Sequence, residues 1–274
     1  WFEAQFGEPT EVQRRGWPAI ARGANALLLA PTGSGKTLAA FFWALDRLSR
    51  LPADAPPGTR VIYVSPLKAL VYDIERNLRT PLAGLEERAR STGAPFRPVS
   101  IAVRTGDTPQ RERQRMIKLP GDILVTTPES LYLMLGSRVR ETFRTTELVI
   151  IDEIHALAPT KRGSHLALSL ERLSELADKE PRRVGLSATV RPVDSVARFL
   201  GGDRPVEVVD TSAPPRLELS VHMPKLVAST DQGGAPTVWP SIRDRLIAEI
   251  RSHTTTIVFV NNRTGAERLV ADLN

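Results

Sequence analysis

The sequence predicts an α/β fold in which helices cover both faces of a doubly wound parallel sheet, followed by the start of a second, similar domain. The first observation is that short apolar runs alternate with longer patterns of helical period, which is typical of βαβ units. The second is that a glycine-rich turn follows the first apolar run, and the third is that two carboxylates follow a later one. In such a sheet, groups of this kind meet at the carboxyl ends of the strands.

The elements of the first domain follow from this alternation. Apolar runs predict strands at residues 26–30, 61–65, 99–103, 123–126, 148–151 and 184–186. The patterns between and after them predict helices at residues 36–50, 67–89, 109–117, 128–135, 165–178 and 193–200. Such runs are expected because strands of a parallel sheet are covered on both faces.

A change of composition marks the end of this domain. Residues 201–240 are rich in Pro, which has no backbone N–H and therefore does not pair inside a sheet. We expect an irregular crossover there, with an edge strand such as residues 217–221. The predicted organisation is a first domain at residues 1–210, an interdomain linker at 211–240 and the start of a second domain at 241–274.

The second domain is predicted to open with the same alternation. Residues 239–251 predict a helix, residues 256–260 a buried strand and residues 264–273 the next helix. The chain starts without Met and stops inside that last helix, so we expect it to be part of a longer polypeptide. The rest of that polypeptide is then its first expected partner.

Composition excludes some classes of protein and leaves others open. The chain has no Cys, which excludes disulfides and thiolate zinc sites, and its four His lack a zinc-ligand spacing. No apolar run reaches the roughly 18 residues of a membrane span, and no signal-peptide pattern opens the chain. We therefore expect a cytoplasmic protein with no membrane partner. The net charge of +6 and the pI near 10.0 fit a partner made of phosphates, although many proteins without one have the same balance.

Residues 30–37 (APTGSGKT) have the composition of a phosphate-binding loop. Such a loop needs a strand, a glycine-rich turn whose backbone N–H groups converge on an anion, and the N-terminus of a helix. The preceding apolar run supplies the strand, Gly33 and Gly35 the turn, and the helix opens at Lys36. In that frame the Lys36 ammonium reaches the β- and γ-phosphates of a nucleotide, and the Thr37 hydroxyl ligates Mg²⁺. The strict pattern starts with Gly where this chain has Ala, at the position farthest from the phosphates.

Two adjacent carboxylates, Asp152 and Glu153, follow the apolar run at residues 148–151. Beside a bound triphosphate, Asp152 would hold Mg²⁺ through its hydration shell, and Glu153 would accept a proton from the attacking water. In a protein that binds no triphosphate, the same pair would be a solvated turn. The phosphate-binding loop therefore favours the interpretation as a Mg²⁺ and water site. His155 stays open between a hydrogen-bonded core residue and a link from the γ-phosphate side of the site to neighbouring loops.

These residues resemble the helicase motifs of superfamily 2. Five segments match motifs I, Ia, Ib, II and III in their usual order: residues 30–37 (APTGSGKT), 65–70 (SPLKAL), 127–130 (TPES), 152–155 (DEIH) and 187–189 (SAT). Residues 6–13 resemble the adenine-reading Q motif, and residues 257–263 (IVFVNNR) resemble motif IV of a second RecA-like domain. The resemblance spans nearly the whole chain and implies a RecA-like P-loop NTPase fold.

Longer phrases resemble the Lhr group, the large helicase-related proteins: residues 65–78 (SPLKALVYDIERNL), 125–135 (VTTPESLYLML) and 152–173 (DEIHALAPTKRGSHLALSLERL). The resemblance implies ATP and Mg²⁺ as cofactors, nucleic-acid-dependent ATP hydrolysis, 3′-to-5′ movement on single-stranded DNA and unwinding of DNA or DNA:RNA duplexes. It also implies a role in DNA repair and association with the bacterial nucleoid. Arginine fingers would come from motifs beyond this chain, so these 274 residues alone would hydrolyse ATP poorly.

The resemblance assigns roles position by position. Gln13 would read adenine, while His155, Ser187 and Thr189 would couple the nucleotide state to domain closure. The triphosphate and its Mg²⁺ would be held and hydrolysed by Thr32, Gly33, Ser34, Gly35, Lys36, Thr37, Asp152 and Glu153. The nucleic-acid backbone would face Pro66, Leu67, Lys68, Thr127, Pro128 and Glu129, to which we add the strand-end residues Arg104 and Thr105 and the motif IV residues Asn262 and Arg263. Such contacts grip phosphates without reading sequence.

Three other functions share parts of this pattern. A P-loop ATPase that remodels protein would not need motifs Ia and Ib, and a non-catalytic nucleic-acid-binding module would not need intact ATP-site residues. A Ski2-like RNA helicase shares the DExH pattern, and strand preference would separate it from the leading interpretation. Two basic segments also stay open: residues 104–118 could flank a DNA channel or be a solvated helix face, and Lys161 and Arg162 could touch a strand or face water.

Overall fold

The computed structural model describes residues 1–188, 190–212, 218–227 and 236–273. The chain divides into two compact units, and the division falls between residues 214 and 215. Among the helices of these described residues, none is both long and apolar enough to cross a membrane.

The first unit contains a seven-stranded sheet whose neighbouring strands are all parallel. Its strands are β1 (Asn25–Leu29), β2 (Val61–Val64), β3 (Ile101–Arg104), β4 (Ile123–Thr126), β5 (Leu148–Ile151), β6 (Arg182–Ser187) and β7 (Val206–Asp210). Across the sheet they lie in the order β3-β4-β2-β5-β6-β1-β7. The predicted fold class is confirmed, and the six predicted strands each have a counterpart within two residues at either end.

Helices connect these strands and cover the sheet. They are α1 (Phe2–Phe6), α2 (Glu11–Ala21), α3 (Lys36–Ser49), α4 (Lys68–Thr92), α5 (Gln110–Lys118), α6 (Pro128–Leu135), α7 (Ile154–Leu157), α8 (Lys161–Leu176) and α9 (Val193–Gly201), together with a 3₁₀ helix at Arg138–Phe143. At least one helix lies between each pair of consecutive strands, including α9 between β6 and β7, so every connection can return the chain for a parallel strand.

Alternating side chains of the strands form two cores, one on each face of the sheet. Ala26 and Leu28 of β1 belong to the core that α2, α3 and α4 cover. Leu27 and Leu29 belong to the opposite core, which α6, α7, α8 and α9 cover. Since all strands run the same way, their carboxyl ends lie along one edge, and the predicted motifs follow those ends.

Two elements of the first unit correct the sequence-based expectation. Residues 206–210, expected to be irregular, form β7, which pairs in parallel with β1. This strand is at the edge of the sheet and largely exposed, so it lacks the continuous apolar run of a buried strand. Helix α8 begins at Lys161 rather than residue 165, because the Thr160 hydroxyl caps it by accepting the Gly163 N–H at 3.1 Å.

The second unit contains α10 (Trp239–Ser252) and α11 (Arg263–Leu273). Arg268 of α11 lies over the ring of Trp239, 4.5 Å from its centroid. The strand predicted at residues 256–260 is not formed, because a strand needs a paired neighbour and the described part of this unit has a single bridge, between Val227 and Thr237. Of the edge strand predicted at 217–221, residues 218–221 form none and residue 217 lies outside the described residues.

Candidate nucleotide and nucleic-acid site

The loop between β1 and α3 has the backbone of a phosphate-binding loop. Gly33 and Gly35 have φ angles of 80° and 85°, in the left-handed region that side chains rarely adopt. Helix α3 begins directly after them at Lys36, so its first N–H groups and its dipole point into the loop. The Ser34 hydroxyl is buried and has no hydrogen-bond partner among the described residues. Both the backbone and this unpartnered hydroxyl fit an anionic ligand.

The Lys36 side chain is buried at the base of this loop, with 8% of its surface exposed. Its ammonium donates to the carbonyl oxygens of Ala30, at 2.8 Å, and Pro31, at 3.1 Å. Burial lowers the pKa of Lys36, and the nearby carboxylates of Glu153 and Asp152 oppose that shift. An ammonium has three donors, so one N–H remains for a further acceptor.

The segment resembling the Q motif is attached to the phosphate-binding loop. The Thr10 hydroxyl donates to the Ser34 carbonyl at 2.9 Å, and the Gln13 amide donates to the Gly35 carbonyl at 3.4 Å. The other end of the Gln13 side chain accepts the Thr10 backbone N–H at 3.0 Å and closes a capping box at the start of α2. Gln13, predicted to read adenine, is therefore buried and held against the loop.

Asp152 and Glu153 lie at the carboxyl end of β5, in the middle of the sheet. They line a cavity of about 660 Å³ together with the phosphate-binding loop and Thr37. The Asp152 Oδ1 atom accepts the backbone N–H of Glu153 at 2.9 Å. A groove of similar volume, about 630 Å³, runs along β3, so size does not single out the site. The site is identified by its chemistry: an anion-binding loop faces two carboxylates.

Tyr63 is a site residue that sequence reasoning missed. It lies on β2, is fully buried, and its hydroxyl donates to Oδ2 of Asp152. Burial raises the pKa of Tyr63, and the charges of Asp152 and Glu153 raise it further, so the hydroxyl keeps its proton. The sequence does contain one indication of this role: Tyr63 is the only polar side chain in the strand VIYV. A buried Tyr hydroxyl usually requires a hydrogen-bond partner.

His155 connects the carboxylates to the neighbouring strand. Its Nδ1 atom lies 3.3 Å from Oε2 of Glu153 and 3.0 Å from the hydroxyl of Ser187 at the end of β6. The sequence left His155 open between a core residue and a link to neighbouring loops; these contacts fit a link, and its role stays a prediction. Thr189, predicted to act with Ser187, lies outside the described residues.

The residues predicted to face nucleic acid follow the carboxyl ends of β2, β3 and β4, which are adjacent in the sheet. Leu67 is 58% exposed, whereas Pro128 is buried. Thr105 and Thr127 are also buried, and their hydroxyls bond within their own loops, to the Asp107 N–H and to Ser130. The side-chain hydroxyls of these two residues are thus engaged within the protein, and the Thr105 backbone N–H likewise donates to the Thr108 hydroxyl at 2.9 Å.

Arg162 joins two of these loops. Its guanidinium donates to the Glu129 carboxylate at 2.6 Å and to the Pro66 carbonyl at 3.0 Å. The sequence left Arg162 open between a strand contact and exposure to water, and the structure places it in this clamp. The Arg162 hydrogen bond lowers the pKa of Glu129 below its usual 4.5, so the charged pair is present at neutral pH and is lost only as the pH falls through that lowered value.

A second ion pair holds the loop after β3. It joins the Lys68 ammonium to the Asp107 carboxylate of that loop, at 2.8 Å. Arg113 of α5 donates to the carbonyl oxygens of Gly106 and Thr108 in the same loop, at 2.7 Å each. Arg104 is half-buried, and burial and the charge of Arg113 lower its pKa. In the basic segment 104–118, at least Arg113 is thus a structural residue rather than a free cation.

The remaining predicted residues lie in the second unit and serve its own structure. The Asn262 side chain accepts the backbone N–H of Gly265 at 2.7 Å, at the start of α11. Arg263 pairs with Glu267 one turn along the same helix, at 2.8 Å. Both side chains remain largely exposed, and their role towards nucleic acid stays a prediction.

The fold and this site define a class of protein. The family model for DEAD/DEAH box helicases matches residues 10–196, and the chain belongs to this family. Over its whole length the chain is 50% identical to the Lhr helicase/probable uracil glycosylase of Mycolicibacterium smegmatis and 48% identical to the Lhr helicase/uracil glycosylase of Escherichia coli. It covers 18% and 19% of those proteins. The predicted resemblance to the Lhr group is confirmed.

Solved structures agree with the sequence comparisons. The structure of the Mycobacterium smegmatis helicase Lhr bound to ssDNA and AMP-PNP superposes with a TM-score of 0.83 at 51% identity, over 100% of this chain and 35% of that one. The DUF1998 helicase MrfA, at 22% identity and a TM-score of 0.70, shares the fold. The chain spans about a fifth of the length of the two curated relatives named above.

Proposed function

We propose that this chain provides the ATP-binding part of a nucleic-acid-dependent ATPase and helicase. The observation that carries the proposal is that the phosphate-binding loop lines the same cavity as Asp152 and Glu153. The similar Lhr structure bound to ssDNA and AMP-PNP supports it. ATP and single-stranded DNA are accordingly the proposed cofactor and partner.

The residues of the cavity fit ATP and Mg²⁺. The left-handed glycines leave room for phosphate oxygens, the Ser34 hydroxyl lacks a partner among the described residues, and Lys36 has an unused N–H donor. The Thr37 hydroxyl and the Asp152 carboxylate are hard oxygen ligands of the kind Mg²⁺ prefers. When bound, MgATP would supply the phosphoryl group and a cation that neutralises its charge.

Glu153 is the proposed general base. Its carboxylate lines the cavity, where it would accept a proton from the water that attacks the terminal phosphate. His155 touches both Glu153 and Ser187, so a shift at the end of β6 changes the surroundings of the base. We assign the coupling of nucleotide state to domain closure to this chain of contacts, together with Thr189.

The nucleic-acid backbone is proposed to cross the carboxyl ends of β2, β3 and β4. Backbone N–H groups and the basic residues of these loops would hold phosphates, with Asn262 and Arg263 gripping the strand from a second RecA-like domain. The rest of the polypeptide would complete that domain and supply the arginine fingers that stabilise charge on the γ-phosphate. Movement is proposed to run 3′ to 5′ on DNA, with unwinding of DNA or DNA:RNA duplexes in DNA repair.

Strand displacement by the full-length protein tests these finer points. Partial duplexes with a 3′ or a 5′ single-stranded overhang are incubated with the protein and MgATP. The strand that carries the overhang is either DNA or RNA. We expect displacement only from a 3′ DNA overhang, with either DNA or RNA as the displaced strand. Displacement from RNA overhangs alone would indicate a Ski2-like RNA helicase instead. ATP hydrolysis without displacement of any strand and without stimulation by nucleic acid would indicate a protein remodeller.

A further inference from the structure

Tyr63 connects the helix after the phosphate-binding loop to the Asp152 carboxylate. Its ring stacks on Phe41 of α3, with the centroids 5.1 Å apart and the planes at 24°. Its hydroxyl donates to Oδ2 of Asp152. Both Tyr63 and Phe41 are fully buried, so solvent does not compete for this hydrogen bond.

The hydrogen bond matters because an aspartate does not fix its own carboxylate plane. The terminal torsion of the Asp side chain is broad and roughly two-fold, so the plane is set by its partners. In Asp152, Oδ1 accepts the Glu153 N–H at 2.9 Å and Oδ2 accepts the Tyr63 hydroxyl. With both oxygens anchored, the carboxylate has one orientation, and each oxygen keeps a lone pair for another donor or a cation.

Packing alone does not explain the hydroxyl. A Phe at position 63 could stack on Phe41 equally well, and a hydroxyl placed in an apolar core costs free energy unless it is bonded. The contact to Asp152 therefore offsets that cost and at the same time orients the carboxylate. Hydrogen-bond partners of metal-ligating groups act in this way in other proteins.

We propose that Tyr63 is a positioning residue that orients Asp152 for Mg²⁺. This inference rests on the proposed function, since it requires that the cavity takes a nucleotide with a divalent cation. Tyr63 does not line the cavity, so it would touch neither the nucleotide nor the cation. It acts only through the carboxylate, whose plane its hydroxyl helps to set.

The test is Tyr63→Phe in the full-length protein, with Phe41→Leu as the matched control. Binding of a fluorescent non-hydrolysable ATP analogue is followed as Mg²⁺ is titrated, and Tm is measured without ligand. In Tyr63→Phe we expect the Mg²⁺ concentration at half-saturation to rise about tenfold, the lower end of the range for such partners. Its Tm and its affinity for the analogue at saturating Mg²⁺ stay near wild type. Phe41→Leu keeps the hydroxyl, so it lowers Tm but leaves the Mg²⁺ midpoint near wild type.

The outcomes separate the two proposals. If the wild-type protein shows no Mg²⁺-dependent binding of the analogue, the proposed function itself fails. If the wild type binds but Tyr63→Phe has an unchanged Mg²⁺ midpoint, only the role of Tyr63 is overturned. A lower Tm in Tyr63→Phe with an unchanged midpoint would make the hydroxyl a purely structural group and overturn the role as well.

Discussion

Glu153 shows how single residues shape this site. Among the described residues that are not Gly, it alone has a left-handed backbone, with φ at 44°. Such a conformation costs of order 1–3 kcal/mol and is found mostly at functional sites. Asp152 offsets part of that cost by accepting the Glu153 N–H. The turn carries both carboxylates into the cavity, and no sequence pattern predicts it, because the backbone conformation of an Asp-Glu pair depends on its surroundings.

The two glycines of the phosphate-binding loop have different neighbours, which gives a matched pair of variants. A Cβ at Gly33 would meet nothing within 4 Å, whereas a Cβ at Gly35 would lie 2.5 Å from the Gln13 amide nitrogen. Both substitutions to Ala force a left-handed φ that costs roughly 1–2 kcal/mol. We expect Gly33→Ala to weaken ATP and GTP binding equally. Gly35→Ala should also displace Gln13 and reduce the preference for ATP over GTP.

Equilibrium binding of ATP and GTP analogues to the two variants and the wild type checks this prediction. Gly33→Ala serves as the control, since it carries the same backbone strain without the contact to Gln13. If Gly35→Ala keeps the preference of the wild type for ATP over GTP, Gln13 does not read the base.

Individual elements differ in how well the sequence predicts them. The predicted strands 123–126 and 148–151 match β4 and β5 residue for residue, because both lie inside the sheet and all their residues are buried. Edge strand β7 was missed, since its exposed middle residues remove the apolar run. Helix α7 has only four residues and depends on the turn at Glu153, so it carries no helical period of its own.

Loops are positioned by contacts that join distant parts of the chain, and the Arg162 clamp is the clearest case. Arg162 lies 33 residues from Glu129 and 96 residues from Pro66, so no local pattern could pair them. The motifs alone predict that Pro66 and Glu129 face nucleic acid, and the structure shows that Glu129 is also bound by Arg162 within the protein. We therefore propose that Glu129 positions the loop in addition to its predicted contact with nucleic acid.

Breaking the clamp should weaken nucleic-acid binding while leaving the nucleotide site intact. We expect Arg162→Ala and Glu129→Gln each to lower the affinity of the full-length protein for single-stranded DNA severalfold, because both release the loop after β2 from the loop after β4. Affinity for the ATP analogue should stay near wild type. Fluorescence anisotropy of labelled DNA measures the first quantity, and analogue titration measures the second.

The double variant and the neighbouring Lys161 provide the controls. If Arg162 and Glu129 act as one unit, the double variant loses no more affinity for single-stranded DNA than either single variant. Lys161 is exposed and carries the same charge, so Lys161→Ala measures the general effect of removing a cation. Equal losses in Lys161→Ala and Arg162→Ala, or additive losses in the double variant, would contradict the clamp and favour direct contacts with DNA.

At the scale of the whole molecule, the parallel sheet brings the site together. The phosphate-binding loop follows β1 and the carboxylates follow β5, which are far apart in sequence but separated only by β6 in the sheet. This meeting could be predicted from motif order and fold class, because parallel strands end at one edge. The contact between Tyr63 and Asp152 could not be predicted, because it depends on the register of β2 against β5. In that register Tyr63 pairs with Ile150, two residues before Asp152.

We propose above all that Glu153 is the general base for ATP hydrolysis in a site that responds to nucleic acid. The most direct measurement is ATP turnover by the full-length wild type and Glu153→Gln, with and without single-stranded DNA, beside binding of both ligands. We predict that DNA stimulates the wild type, and that Glu153→Gln binds ATP and DNA normally but loses at least about a hundredfold in turnover, as removal of a general base should cause. Glu175→Gln, an exposed carboxylate on α8, should behave as wild type. Undiminished turnover in Glu153→Gln, or wild-type turnover indifferent to DNA, would contradict the account.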